Sequence, residues 1–538
     1  MIEAIKNLIL QKNKLIKDRK DLEVAKRIFC KEYRIDSFTN AQILNIYKKM
    51  LVAGEINRSL DFEKVLRKRS IRTMSGIAPV AVLTKSYPCP GECAYCPHEK
   101  EVPVSYLSNE PAVMRAIRCS YNPYKQVTWR LKALENNGHE PTKIEIIVIG
   151  GTWSYLPKKY KYWYILNCFR AANDYYNFKK KLESDNNEEI SLNKINSPYK
   201  QNLSFKEIEK ALKIEQKKNE KEHYKIIGLT LETRPDYINE EELNEMRDLG
   251  CTRIEVGVQA IDDKILQLNK RGHGVKEITS ATELMKKYGF KVTYHFMPAL
   301  PGSSVEKDLS MFKKLFNDSR FQPDQIKFYP TVVVKGSLLY KWYREGKYKP
   351  YTDMQLEKLI LKCKLVVPEY VRIIRLIRDI PSESIEAGNK ITNLRQIMKD
   401  KGVKCRCIRC REAKESRLTN WHIKTLKYSA SSGQEYFISA ESKDGHILYG
   451  FCRLRIDNNS PVSPAIIREL HVYGQLTSVG ENGEVQHAGI GKKLLNEAEK
   501  IAIKQKAGSL AVISGVGVRD YYRKLGFKLK NTYLIKKL

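Results

Sequence analysis

Two groups of cysteines are the residues whose type and spacing most directly imply chemistry. The segment KSYPCPGECAYCPHE carries Cys89, Cys93 and Cys96 in a C-x3-C-x2-C pattern. Three thiolates this close together hold three irons of a cubane [4Fe-4S] cluster and leave the fourth iron open, whereas a four-thiolate structural site would close it. An open iron chelates the amino and carboxylate groups of S-adenosylmethionine, and an electron from the cluster then breaks the sulfonium bond to give a 5′-deoxyadenosyl radical. The competing reading is a structural zinc loop, but no fourth ligand stands nearby at zinc-ribbon spacing. The segment GVKCRCIRCRE supplies a second group, Cys405, Cys407 and Cys410, three soft ligands that suit zinc at a junction between domains. Its fourth ligand is open between Cys363, His422 and water, and free thiols are the alternative. Of the 12 cysteines the rest are scattered and read as small buried hydrophobes. Clustered thiolates point to a reducing compartment.

Two glycine groups could receive cofactors. Gly150-Gly151-Thr152 ends the strand-like run IEIIVIGG; alone it reads as a tight turn. Near the C-terminal end RELHVYG is followed by QHAGIGKKLL, in which Gln486 to Gly491 follow a Q-x-x-G-x-G pattern. Glycines there let backbone N–H groups approach phosphate oxygens, and a helix beginning near Lys492 offers its positive N-terminus. A plain loop is the alternative.

Several elements must position these residues. The chain has 538 residues, 96 Lys+Arg against 62 Asp+Glu, a formal charge of +34 and 42% hydrophobic residues. That length predicts two to four domains, and the hydrophobic content excludes a mainly disordered basic tail. The excess charge points to a polyanionic partner, with a generally lysine-rich composition as the alternative. No run reaches the roughly 18 apolar residues of a membrane span, so a soluble, cytoplasmic protein is expected.

Residues 1–75 read as helical, with 18 Lys+Arg and 9 Asp+Glu up to Arg72, either a nucleic-acid arm or a solvated face. From 76 to 400, β-rich runs such as IEIIVIGG, KIIGLTLET, RIEVGVQ, KVTYHFMPALPG and QIKFYPTVV alternate with amphipathic stretches, so an α/β fold with a partial or full (β/α) barrel is expected, its chemistry at strand C-terminal ends. Residues 179–222 read as an insertion, a surface loop plus a polar helix, without chemistry. Residues 401–416 form the cysteine-rich junction, where Arg406, Arg409 and Arg411 would add a basic surface. Residues 417–538 read as a separate α+β domain.

The cysteine loop, the Gly-Gly strand end and the strings LETRPDY, GCTRIEVGVQ, NKRGHGV and HFMPALPG resemble the radical SAM superfamily and, within it, the elongator-protein-three family; the match covers nearly the whole chain. Two departures are visible: the first two cysteines have the ordinary radical SAM gap where eukaryotic members have a wider one, and His98-Glu99 follows Pro97 where Gly-Gly is common. RELHVYG, QHAGIGKKLL and GVRDYYRKLGF resemble the GNAT acetyltransferase fold. The resemblance implies that Gly150 and Gly151 help seat S-adenosylmethionine. It also implies acetyl-CoA contacts at Glu469, Leu470, His471 and Val472, at Val485, Gln486 and His487, at Gly489, Ile490, Gly491 and Lys492, and at Tyr522 with Tyr521 beside it. Lys143 and Lys291 match family lysines near a cofactor; Lys291, Tyr521 and Tyr522 are the expected catalytic set.

The reaction so implied takes hydrogen from the acetyl methyl group, adds the resulting carbon radical to C5 of the wobble uridine of tRNA, and cleaves the thioester to leave a carboxymethyl group. An anticodon loop presents such a base unstacked. The rival is a protein lysine acetyltransferase with a structural cluster, for which Glu469 is the available general base; a non-catalytic tRNA scaffold is a third reading. Self-association and a need for Elongator-like subunits stay open.

Overall fold

In the computed structural model, which describes residues 1–67, 75–184, 195–391, 393–414, 416, 418, 420–474 and 489–538, strand order follows chain order through the first large sheet. Its strands are β1 (Ala78–Leu83), β2 (Lys143–Ile149), β3 (Lys225–Thr233), β4 (Arg253–Gln259), β5 (Lys291–Phe296) and β6 (Gln325–Phe328), then β8 (Arg372–Arg375). All neighbours are parallel, and β1 and β8 end the order without pairing, so the sheet is a curled half-barrel and not a closed barrel. A small ribbon, β7 (Val333–Val334) with β9 (Ile385–Ala387), lies outside it.

Helices cover the outer face: α5 (Pro111–Arg118), α6 (Pro123–Asn136), α7 (Lys158–Ser184), α8 (Phe205–Asn219), α9 (Glu240–Asp248), α10 (Asp263–Leu268), α11 (Val275–Lys287), α12 (Val305–Asn317), α13 (Leu338–Arg344) and α14 (Asp353–Val366). The expected insertion at 179–222 is revised here. Residues 179–184 complete α7, and α8, started by a Ser204–Glu207 capping box, buries Ile208 and Leu212 against the main core. The polar helix expected there is thus a crossover helix between β2 and β3 and not part of a surface insertion, a role its polar outward face disguised. Residues 185–194 lie outside the described set.

Before the barrel, α1 (Ile2–Lys12), α2 (Arg19–Glu32), α3 (Asn40–Val52) and α4 (Leu60–Leu66) pack Ile5, Leu8, Phe29, Tyr47 and Phe62 into a core of their own. Arg67 follows, its Nε donating to Gly138 O at 3.0 Å; the rest of the expected basic peak, Lys68, Arg69 and Arg72, lies outside the described residues. After the barrel come α15 (Leu394–Asp400) and α16 (Ile408–Arg411).

The terminal domain is a seven-stranded mixed sheet of β10 (Trp421–Ala430), β11 (Gly433–Ser442), β12 (Leu448–Ile456), β13 (Ala465–Val472), β14 (Ser509–Val512), β16 (Tyr533–Lys537) and β15 (Lys528–Lys530), with α17 (Ile490–Lys504) and the short α18 (Arg519–Arg523). It seats on the N-terminal ends of the barrel strands. Arg468 binds Asp324, which precedes β6, through 2.6 and 2.8 Å hydrogen bonds. Arg453 reaches Asp324 at 3.5 Å and donates to Tyr370 O, before β8, at 2.6 Å. Glu220, before β3, takes Arg519 and Arg523. Gly515 presses so closely that a Cβ there would meet Ile227 O of β3 at 2.0 Å.

Candidate active site

The cysteine loop follows β1 at the C-terminal end of the half-barrel, as strand-end chemistry requires. Its backbone is pinned on both sides: Ala94 N donates to Asn269 O at 3.1 Å, and Leu339 N donates to Ala94 O at 2.7 Å. Arg271 Nη1 lies 3.2 Å from Cys93 Sγ. A hydrogen bond from Cys96, then Arg271 and Arg234, overcome burial and pull the Cys93 thiol down to about 4.

The three sulfurs do not converge as ligands of one ion would; among the described residues only Cys405, Cys407 and Cys410 bring three sulfur atoms within 4.8 Å of one another. A cubane binds each thiolate to a separate iron, so its ligands need not meet at a single point. Buried polar atoms without a hydrogen-bond partner crowd the same end: Tyr95 Oη, Arg234 Nη1, Arg271 Nε, Gln259 Oε1 and both ring nitrogens of His273, whose Nδ1 lies 3.6 Å from Asp236 Oδ1. Burial, then Arg271 and Arg234, hold His273 neutral, lowered to about 2. Polar atoms left unpaired at this density call for a further polar group, and the guanidinium groups of Arg271 and Arg234 beside Cys93 match an anionic cluster. The residues present therefore fit it.

Gly150 and Gly151 stand beside this loop at φ +132° and +106°. A Cβ on Gly150 would meet Thr84 Oγ1 at 2.2 Å, whereas nothing lies within 4 Å of one on Gly151. Gly150→Ala is therefore expected to cost about 1–3 kcal/mol of stability through backbone strain and the clash, with Gly151→Ala costing less; thermal unfolding of the two variants checks the ranking.

Between the ends of the half-barrel runs a polar interior. Alternation along the strands turns Lys143 and Glu145, Thr230 and Glu232, Arg253 and Glu255, Lys291, Thr293 and His295, and Gln325 and Lys327 to one face. Pairs between strands that are not neighbours show that this face is the concave one. Arg253 Nη2 reaches Glu145 Oε1 at 3.1 Å (β4 to β2), and His295 Nδ1 lies 3.6 Å from Glu232 Oε1 (β5 to β3). Glu255 takes Lys327 of β6 and, at 3.0 Å, His295 Nε2. Burial would raise the Glu255 carboxyl; Lys327 and His295 hold it well below the usual range. Closed barrels fill this space with branched apolar side chains; here it is charged.

Lys143 and Lys291 open β2 and β5, so they stand at the terminal-domain end of this interior, not beside the cysteine loop. Burial lowers Lys143 to about 8. Lys291 Nζ lies 3.5 Å from Glu469 Oε1, and Arg453 Nε donates to Glu469 Oε2 at 3.0 Å. Glu469, Leu470, His471 and Val472 lie on the half of β13 that has parted from β14, since those strands pair only from Ala465 to Ile467. A bulge between Arg453 and Leu454 on β12 marks the divergence. His471 is turned aside onto Ser75 O at 2.8 Å. Helix α17 begins after Gly489, at φ +78°, with Ile490, Gly491 and Lys492 and no acidic residue in its first turn, so its N-terminus faces the splayed strand ready for an anion.

Gly491 has Val472 and Tyr521 as neighbours; a Cβ on it would stand 3.2 Å from Tyr521 Oη and 3.6 Å from Val472 Cγ2. Tyr522 is instead buried edge-on against Phe527. Of the two expected tyrosines, Tyr521 has its hydroxyl at the cleft between strand and helix. Val485, Gln486 and His487 lie outside the described residues.

At the junction, Cys405, Cys407 and Cys410 converge, and Lys364 Nζ lies 3.7 Å from Cys410 Sγ. Neither Cys363 nor His422 joins them among the described residues. The expected basic surface does not form as a unit, because Arg411 is buried against Glu441 at 2.9 Å and Arg406 pairs with Glu369. Glu232, Glu255 and His295 are marked in the sequence only by polar alternation within β-rich runs, while Arg234, Arg271 and His273 lie in loops outside the strands and carry no such signal.

Family models match "Radical SAM superfamily" at residues 84–315, "Radical_SAM C-terminal domain" at 323–402 and "Acetyltransferase (GNAT) family" at 404–527, the last including the junction cysteines. These domain types imply a [4Fe-4S] cluster with S-adenosylmethionine, and acetyl-CoA. A tRNA uridine(34) acetyltransferase of Dehalococcoides mccartyi is 43% identical over 88% of this chain and all of its own length. One from Methanocaldococcus infernus is 38% identical over 97% of this chain and 96% of its own. Human Elongator complex protein 3 is 36% identical over 88% and 86%. The solved archaeal Methanocaldococcus infernus Elp3 with an N-terminal deletion superposes with a TM-score of 0.70 at 36% identity, covering 87% of this chain and all of that one. With both sites in place and relatives matched along nearly their whole lengths, the chain belongs to the radical SAM and GNAT enzyme family of the tRNA uridine(34) acetyltransferases and Elongator complex protein 3.

Proposed function

We propose that this protein is a tRNA-modifying acyltransferase that builds a carboxymethyl group on C5 of the wobble uridine from acetyl-CoA. The observation that carries the reading is the polar interior: the cysteine loop and the acyl-binding cleft stand at the two mouths of one charged half-barrel, not on unrelated faces. When bound, the cluster and S-adenosylmethionine supply a one-electron reagent that takes hydrogen from carbon, and acetyl-CoA supplies the two-carbon unit. Cys89, Cys93 and Cys96 hold the cluster, while Arg234 and Arg271 balance its charge. Gly150 and Gly151 let the β2 strand end approach the bound S-adenosylmethionine. Gly489, Ile490, Gly491 and Lys492 receive phosphate, Glu469 to Val472 line the pantetheine arm, and Lys291 and Tyr521 bound the acyl end, with Tyr522 packed behind Tyr521 and Lys143 nearby. The names of the relatives support tRNA as substrate. The basic helices α1–α4 give the polyanion an electrostatic seat.

The lysine acetyltransferase reading is not favoured. Its base would be Glu469, which burial would raise but which Lys291 and Arg453 lower to about 2. A carboxylate so ion-paired is a weak proton acceptor at neutral pH. Anaerobic incubation of reconstituted protein with S-adenosylmethionine, acetyl-CoA and tRNA is expected to yield 5′-deoxyadenosine and carboxymethyluridine by mass spectrometry. Acetylated lysine with neither product would overturn the assignment.

The junction cysteines hold a structural zinc in this reading. Hydrogen bonds from Cys405 and Cys410 draw the Cys407 thiol well below its ordinary value while Cys405 and Cys410 are themselves raised, so the trio carries one thiolate and a bound zinc would displace the other two protons. With Lys364 against Cys410 and neither candidate side chain present, water takes the fourth position. Elemental analysis should find zinc in the wild type and its loss in Cys407→Ser, with iron retained; equal zinc in both would remove the site. Among the described residues no helix is long and apolar enough to cross a membrane, and a cytoplasmic setting suits the free thiols.

A further inference from the structure

A cleft of about 340 Å³ opens beside the cysteine loop, outside the half-barrel, and the assignments above leave it unused. Leu268, Leu300, Trp342, Tyr348 and Tyr351 line it, and Lys347 and Lys349 stand at its rim. It shares supports with the cysteine loop: Leu268 is followed by Asn269, whose carbonyl takes the Ala94 N–H, and Trp342 rides on α13, whose second residue, Leu339, donates to Ala94 O. Two of its rings are held by their hydroxyls, Tyr348 to Ala299 O and Tyr351 to Asp308 Oδ2, each at 2.7 Å. Trp342 is half-buried.

We infer that this cleft binds the base of a second, unstacked RNA nucleotide, a neighbour of the one that reacts. Fixed aromatic rings next to ammonium groups are the chemistry of single-strand recognition, stacking for the base and charge for its phosphate. The volume lies at the small end of ligand sites, enough for one nucleotide and too small for a duplex. Residues Lys335 to Lys349 hold five basic side chains and one acid. Glu345 already pairs with Lys347 at 2.8 Å, so Lys349 is the cation for a phosphate. The adenine of S-adenosylmethionine shares the ring chemistry, but its sulfonium brings positive charge to a lysine rim and it carries no phosphate. Holding the neighbour fixes the register of the loop over the cysteine-loop mouth.

The inference rests on the tRNA reading, and the test separates the two. Full-length wild type, Trp342→Ala, Trp342→Phe and Lys349→Gln are titrated with an anticodon stem-loop by fluorescence anisotropy over a series of salt concentrations, and with S-adenosylmethionine by equilibrium dialysis. Trp342→Ala is expected to bind RNA about 10- to 100-fold more weakly, with Trp342→Phe near wild type. Lys349→Gln, at an exposed site that folding does not need, is expected to lower the salt slope by about one. S-adenosylmethionine binding should not change. Wild type that ignores the stem-loop overturns the tRNA reading itself. Wild type that binds, with Trp342→Ala within twofold of it or an unaltered slope in Lys349→Gln, overturns only the cleft; so does a loss confined to S-adenosylmethionine.

Discussion

Cys93→Ser is expected to strip the protein of its cluster and of 5′-deoxyadenosine formation while tRNA binding and the fold persist. Serine nearly matches cysteine in volume, and Cys93 is buried in a loop pinned through Ala94, so the backbone has no reason to move. What is lost is the thiolate that Arg271 faces at 3.2 Å. Substituting an outer partner of a metal ligand costs about 10- to 100-fold, so removing the ligand should exceed about 100-fold. Arg271→Lys, which keeps charge but loses the planar fork, should fall inside that smaller range. Iron and sulfide analysis on anaerobic protein, with 5′-deoxyadenosine by mass spectrometry, decides. Iron retained in Cys93→Ser, or tRNA binding lost in step with the cluster, would mean that these cysteines only support the loop.

Asp324→Asn is expected to loosen the terminal domain from the barrel by about 3 kcal/mol. Breaking a buried ion pair from one side costs about 3–5 kcal/mol because a charge is left behind. The lower end applies because Glu435 still faces Arg468 at 2.9 Å and Glu469 still faces Arg453. Hydrogen exchange at the β13 amides should then quicken by about two decades, since 1.36 kcal/mol is tenfold; a change under tenfold would refute the account. The wild type carries the same dependence on acid. Burial would raise the Asp324 carboxyl, but Arg468, with Lys286 and Arg453, holds it well below the usual range. A folded-state value below the unfolded one stabilises above the ordinary aspartate pKa of about 3.9 and is lost as pH falls below it. Added salt should matter little, because these groups are buried.

Much of the architecture was legible from local patterns. The runs at Lys225 to Thr233 and Arg253 to Gln259 carry enough β-branched and alternating residues to announce strands, and the cysteine and glycine spacings marked both ends of the chemistry. The charged interior was less visible. Glu255 and Lys327 sit in short runs that read as ordinary half-exposed strands, and only the curl of the sheet tells which face meets Glu145 and His295. The α8 crossover was hidden by lysines on its outer side. Tyr521 and Tyr522 are adjacent in sequence, so only α18 and its packing on Phe527 reveal which hydroxyl meets Gly491.

Gly515 lies flush on Ile227 with no room for even a methyl group, and the same seam carries Arg468 on Asp324 and both α18 arginines on Glu220. A joint this tight cannot hinge or slide by the length of a strand. The six residues of β5 span about 17 Å at about 3.3 Å per residue, so the strands hold the two mouths of the half-barrel at least that far apart. Any journey between them falls to the flexible arm of a bound thioester or to the bending of the nucleic acid, and the polypeptide serves as the ruler against which they are measured.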